Sequence, residues 1–189
     1  MLTDPKRGAM PQTQPRVAVL YDANRIAARN QALAAEIAAV APERLLAVAI
    51  LKGSFIFAAD LLRALHGSGL APEMEFMHLS SYRQATISSG QVDILRDVES
   101  DVRDRDVLLI DDILESGRTL AFAKDLLTAR GARRVMVCVL LEKPGKRAVQ
   151  IEADFVGFTC PDLFVVGYGM DVAHAFRQLP FIGHIEGLG

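Results

Sequence analysis

Disulfide chemistry is nearly absent from this sequence: Cys138 and Cys160 are its two cysteines, and they lack CxxC spacing. A pair this sparse excludes a disulfide framework and reads as two inert core or near-surface thiols of a reduced, cytoplasmic protein. Long apolar runs are missing too. The best, Leu45–Leu51 and Val135–Leu141, fall far short of the roughly 18 residues a spanning helix needs, so no membrane partner is expected. Charge of one sign is also lacking, with 21 Lys plus Arg against 23 Asp plus Glu and a formal net charge of −2. That balance argues against coating nucleic acid or anionic lipid by bulk charge, but leaves a local anion site open. His66, His78, His174 and His184 show no metal-ligand spacing, and there is no repeat. At the start, Asp4, Lys6 and Arg7 lie among Pro5, Pro11 and Pro15 with no hydrophobic segment behind them. Residues 1–15 therefore read as a flexible tail rather than a secretory signal.

What is present is apolar material for one sizeable core: 51% hydrophobic residues in 189, with mean hydropathy +0.23. An alanine-rich stretch, Ala27–Ala41, follows the potential caps Asp22 and Asn24 and ends before Pro42. It places Ile26, Leu33, Ile37 and Val40 on one helical face. A buried-type strand over Leu45–Leu51 breaks at Lys52-Gly53-Ser54, and a helix pattern runs from Phe55 to about Leu65. Glu73–Leu79 alternates as a strand does. The polar stretch from 80 to 105 has a short strand-like piece near Ile94 and reads as a functional lid or a disordered loop. Strand Val107–Ile110, a helix from about Thr119 to Arg130 and strand Val135–Leu141 follow. Short apolar strands alternating with amphipathic helices predict an α/β domain with a mostly parallel twisted sheet. The remaining pieces, Phe155–Phe158, Phe164–Val166 and Phe181–Ile185, suggest a small flap beside the sheet.

Chemistry concentrates in VLLIDDILESGRTL, residues 107–120. Two carboxylates, Asp111 and Asp112, end a buried strand, where open α/β sheets bind their ligands. If the strand continues through them they face opposite ways, and at least one reaches the crevice. The turn from Glu115 to Thr119 supplies amides, hydroxyls and a permissive glycine at a helix start, the parts of a phosphate cradle. The GxxxxGK[ST] spacing of a P-loop is absent. Acids beside a phosphate site suit ribose hydroxyls or Mg²⁺. The bland alternative is a solvated turn that caps a helix.

This segment resembles the phosphoribosyl diphosphate (PRPP) signature of type I phosphoribosyltransferases. Three further segments narrow the resemblance to the hypoxanthine–guanine branch: LKGSFIFAADL (51–61) is similar to its diphosphate loop, SSYRQATISSG (80–90) to its mobile lid, and LLEKPGKR (140–147) to its purine-reading strand end. Residues 154–185 resemble its flap, and the likeness runs in order from about 16 to 186. It implies one phosphoribosyltransferase domain over 16–189, with a lid at about 80–97 and a flap, or hood, at about 145–189.

The resemblance implies roles residue by residue. Asp111 and Asp112 would hold the ribose hydroxyls directly or through Mg²⁺, with Asp171 in a second Mg²⁺ shell. Ser116, Gly117, Arg118 and Thr119 would cradle the 5′-phosphate. Lys52, Gly53 and Arg177 would hold diphosphate, with a cis Leu51–Lys52 peptide. Lys143 would donate to the purine 6-oxo group, Phe164 would stack on the ring, and Val165 would offer main-chain groups. Ser81 and Tyr82 would close the lid over PRPP and a 6-oxopurine, and the assembly would be a homodimer or homotetramer. Without the family, Lys143 reads as a solvated loop residue, Phe164 as core, Arg177 as a surface charge and Asp171 as a helix cap. The chain departs from the branch at Glu115, where aspartate usually stands as proton acceptor from purine N7, and at Asp111, where many members carry glutamate. The first departure leaves the identity of the base open. The rival of another class, a nucleotide sensor or RNA-binding regulator, would want a coherent basic face. Here basic residues are interleaved with acids, as in Val102–Asp106. A nearer rival is an enzyme preferring xanthine or another 6-oxo base.

Overall fold

The computed structural model describes residues 16–81 and 92–186. Its centre is a six-stranded sheet, made of β2 (Leu46–Leu51), β3 (Glu73–Ser81), β4 (Val92–Arg96), β5 (Asp106–Leu114), β6 (Arg134–Glu142) and β7 (Phe155–Thr159) in the order β4-β3-β2-β5-β6-β7. All neighbours are parallel except β4, which runs antiparallel to β3 at one edge. Alternation splits the core into two layers. Ala47, Ala49, Leu108, Ile110 and Leu140 face α1 (Ala23–Ala39) and α2 (Phe55–Gly67), packing on Ile26, Leu33, Phe57 and Leu61. Val48, Ile50, Leu109, Val137 and Val139 face the other way, against Leu120, Ala123 and Leu127 of α3 (Arg118–Ala129).

Local signals explain where the elements start. The Asp22 side chain accepts the Arg25 amide at 2.9 Å, so Asp22 rather than Asn24 caps α1. Val40 was expected on the buried face, but it lies past the last turn and is exposed. The strand expected over Val107–Ile110 runs on to Leu114 because β6 keeps pairing with it through Leu141 and Glu142.

The C-terminal segment differs from expectation. The flap expected over about 145–189 does not contain all of that span, because β7 joins the main sheet as its parallel edge. Asp154 fixes this entry: its amide donates to the Val137 carbonyl and its carboxylate accepts the Val137 amide. Phe155 is buried in the α1 layer, and Arg29 of α1 covers the edge by donating to the Val156 and Gly157 carbonyls. The hood is a separate three-stranded sheet that recruits the N-terminal β1 (Val17–Tyr21) beside β9 (Ile182–Ile185) and β8 (Val165–Val166). Tyr21 ties hood to edge, stacking on Phe158 at 4.2 Å and donating to the Thr159 carbonyl at 2.8 Å. The expected lid also narrows: Ser81 ends β3 and residues 92–96 form β4. Tyr82 and the rest of the lid to residue 91 lie outside the described residues, as does the tail 1–15.

Candidate active site

Strand order reverses between β2 and β5, whose crossovers leave in opposite directions, and such a switch point opens a crevice at the strands' carboxyl ends. A cavity of about 800 Å³ sits there. Ile50 to Gly53 form its β2 side, and Asp111 to Leu120 supply most of its β5 side, so Lys52, Gly53, Asp111, Asp112 and Ser116 to Thr119 meet in one place. The Leu51–Lys52 peptide is cis. Gly53 packs directly against the second acid: a Cβ there would run into the Asp112 carboxylate and force it to shift. Gly117 adopts φ +80 and starts α3, and the Ser116 hydroxyl accepts the Arg118 amide at 3.4 Å. Amides at a helix start favour an anion.

Both acids of the strand end reach this cavity. Asp111 is buried, and its Oδ1 accepts the Asp112 amide, while Asp112 Oδ1 accepts the Ile113 amide, each at 2.9 Å. Burial pushes the Asp111 carboxyl well above the usual carboxylate range, and the neighbouring Asp112 charge pushes it further. Burial also raises Asp112, against the lowering pull of its hydrogen bonds and of the Arg177 charge.

A second cavity of about 730 Å³ adjoins the first and is lined by Lys143, Asp162, Leu163, Phe164, Val165 and Met170 among others. Asp112, Ile113, Glu115 and Lys146 line both, so the two cavities share a wall. Phe164 lies outside β8, which leaves its ring exposed to this cavity, whereas Val165 is buried and paired opposite His184. Lys143 is only 7% exposed, its amide bonded to the Leu114 carbonyl at 3.0 Å. Glu115 stands at the junction, with Oε1 3.9 Å from Lys143 Nζ and 3.5 Å from Lys146 Nζ. Lys146 also grips Asp162 at 2.5 Å.

Arg177 lines neither cavity. It sits behind Asp171, pairing with its Oδ1 at 2.6 Å and donating to the Gly169 carbonyl at 2.6 Å. Asp171 lines the second cavity, and its other oxygen accepts the His174 amide. Asp111, Asp112 and Asp171 do not gather into one cage, and no group of three potential ligands does so among the described residues. Sequence reasoning missed Lys146 and Arg147, although both belong to the quoted LLEKPGKR. Arg147 clamps the site from behind: its Nη1 donates to the carbonyls of Leu114, Glu115 and Lys143, and its Nη2 pairs with Glu142 at 2.6 Å.

Residues 17–173 match the family model described as the phosphoribosyl transferase domain. The chain belongs to the phosphoribosyltransferase family. Among curated phosphoribosyltransferases, it is 45% identical over 141 residues to the hypoxanthine-guanine phosphoribosyltransferase of Bacillus subtilis, covering 75% of this chain and 77% of that one. It is 49% identical over 141 residues to the bifunctional protein TilS/HprT of Listeria monocytogenes, where the match spans 75% of this chain but only 21% of the relative. Among solved phosphoribosyltransferase structures, a hypoxanthine phosphoribosyltransferase from Staphylococcus aureus superposes with a TM-score of 0.84 at 36% identity, covering 96% of this chain and 97% of that one.

Proposed function

We propose that this phosphoribosyltransferase moves the phosphoribosyl group of PRPP onto hypoxanthine and/or guanine, giving IMP or GMP and diphosphate. The observation that carries the reading is Lys143, a nearly buried ammonium opening into the cavity beside the phosphate cradle. A desolvated lysine there is a strong donor for a 6-oxo group and would be left unpaired by a 6-amino group. Phe164 offers a ring face to the base, and Val165 its main chain. Ser116 to Thr119 hold the 5′-phosphate. Lys52 and Gly53 receive diphosphate, with Arg177 turning to it from its rest position on Asp171.

In the reaction, a purine ring nitrogen bonds to ribose C1′ as the bond from C1′ to the diphosphate oxygen breaks. Glu115, at the junction of the two cavities, accepts the proton lost from purine N7, and the Arg147 clamp holds its backbone in place. Ser81 and Tyr82 close over the reaction and exclude water as a competing nucleophile.

The donor set suits Mg²⁺. Asp111 and Asp112 are oxygen ligands whose burial disfavours their unpartnered charges, and Mg²⁺ is typically held by one or two carboxylates together with substrate phosphates. Asp171 would take part in a second shell. When bound, the ion offsets charge on the leaving diphosphate. A cytoplasmic setting fits two thiols that burial keeps protonated. The test is diphosphate release from PRPP and hypoxanthine, with Mg²⁺ and then with excess chelator. Release that stops with chelator is expected, and full turnover in its presence would remove the metal from the scheme.

A further inference from the structure

Tyr168 is a buried phenol that lines neither substrate cavity, yet it stands one residue before a close contact between Gly169 and Gly53 of the diphosphate loop. Its hydroxyl donates to Asp60 Oδ2 of α2 at 2.7 Å and accepts from Asn30 Nδ2 of α1 at 2.9 Å. Asn30 and Tyr168 are 3% and 5% exposed, while the Asp60 carboxylate that completes the network is partly open to solvent. Asp60 keeps its other oxygen on Arg63 at 2.7 Å. Burial, then the bond to Asp60, pushes the phenol above its ordinary pKa, so the hydroxyl stays protonated and able to donate. Packing alone would be served by phenylalanine and leucine, without two buried polar groups, Asn30 and Tyr168, that need partners.

The backbone around Tyr168 explains what that network holds. Tyr168 lies at φ +50, a left-handed conformation unfavourable for a bulky residue and kept only where its surroundings impose it. Its amide donates to the Leu179 carbonyl at 2.9 Å. Gly169 follows at φ +102, so close to Gly53 that a Cβ would run into the Gly53 carbonyl. The Gly169 carbonyl accepts from Arg177, which also pairs with Asp171. Val165, by contrast, is placed through the pairing of β8 with β9, with Phe164 as its chain neighbour.

We propose that the Tyr168 phenol, latched to Asp60 and Asn30, is a positioning residue for the diphosphate half of the site. It seats Gly169 against Gly53 and thereby sets where Arg177 stands, leaving the purine and 5′-phosphate contacts to other elements. The inference rests on the PRPP-transfer reading for the identity of that half-site.

Calorimetric titration with diphosphate and, separately, with IMP, both in the presence of Mg²⁺, tests it. For Tyr168→Phe we expect diphosphate affinity to fall about tenfold, the scale of one hydrogen bond to a charged group, and IMP affinity to stay within about twofold. Asp60→Asn, which keeps an acceptor oxygen for the phenol, should stay within about threefold of wild type for diphosphate. Asp60→Leu should reproduce the Tyr168→Phe loss, and the double variant should be no worse than either single one. A purely structural role would lower thermal stability with diphosphate affinity unchanged. That result, equal losses for both ligands, or additive losses in the double variant would overturn the latch. Wild-type protein that binds neither ligand would overturn the underlying reading instead.

Discussion

Glu115 is where this chain's own chemistry is most exposed to test. A carboxylate at the mouth of a phosphate cradle would repel the phosphate if aimed inward. The lysines at 3.5 and 3.9 Å draw it toward the wall shared with the second cavity. Glutamate is one methylene longer than the aspartate that the resemblance to the hypoxanthine–guanine branch leads one to expect, a reach of about 1.5 Å that a different rotamer absorbs. Glu115→Gln keeps the size and removes the base, so kcat should fall by about 10²- to 10⁴-fold while the KM for PRPP holds. Glu115→Asp should keep much of the activity. A glutamine variant within a few-fold of wild type would reduce Glu115 to an acid that favours the start of α3, an effect of about 0.3–1 kcal/mol.

At the scale of elements, the proposed phosphate cradle follows directly on β5, whose first residue has its own anchoring. Asp106 is fully buried in its side chain and accepts from Arg133 at 2.6 Å, Arg134 at 2.8 Å and the Glu43 amide at 3.0 Å. Burial works against its charge, but the Glu43 amide and the two arginines outweigh it and hold its carboxyl below the usual range. A depressed folded pKa gives stability that is present above the unfolded pKa of about 3.9 and is lost as pH falls through the folded value. Asp106→Asn should therefore cost about 1.5–3 kcal/mol near pH 7. That difference should shrink once the pH drops below the folded pKa, as urea unfolding at neutral and acid pH would show. An undiminished difference in acid would contradict the ion pairing.

The elements also show what the sequence made legible. The buried strands and amphipathic helices of the main sheet could be read from periodicity because their burial is decided within each element. Asp22 announced α1, and the acids and small residues after Ile110 announced the crevice. β1 could not be read that way, and β7, legible as a strand at Phe155–Phe158, could not be assigned to its sheet. VAVLY gains its meaning from β9 at the other end of the chain, and β7 is drawn to the main sheet by Asp154 and by Arg29 of α1, contacts distant in sequence. Arg147 was equally silent, because an arginine that clamps carbonyls looks no different in sequence from a solvated one.

Across the whole molecule, the site is a seam between two bodies. The main sheet brings Asp111, Asp112, Glu115 and the cradle, while the hood brings Phe164, Val165 and Asp171. A nucleoside monophosphate spanning the seam should stabilise both together. At 100 times its Kd, IMP should add about 2.7 kcal/mol, or roughly 5–11 °C in Tm for a chain of this size. AMP, with the same ribose phosphate but no 6-oxo group, should give clearly less at equal concentration. Scanning calorimetry decides this, and an equal shift from AMP would show that the purine cavity does not read position 6.

The central claim, that a buried lysine makes this fold a 6-oxopurine enzyme, is met most directly by a one-pot competition. Hypoxanthine and adenine are supplied together with PRPP and Mg²⁺, to wild type and to Lys143→Ala, and the two nucleotides are quantified. Wild type should form IMP over AMP with a kcat/KM ratio of about tenfold or more, the scale of one charged hydrogen bond. Lys143→Ala should lose IMP formation and most of that ratio. Preferential formation of AMP by wild type, or a ratio unchanged in the variant, would contradict the account.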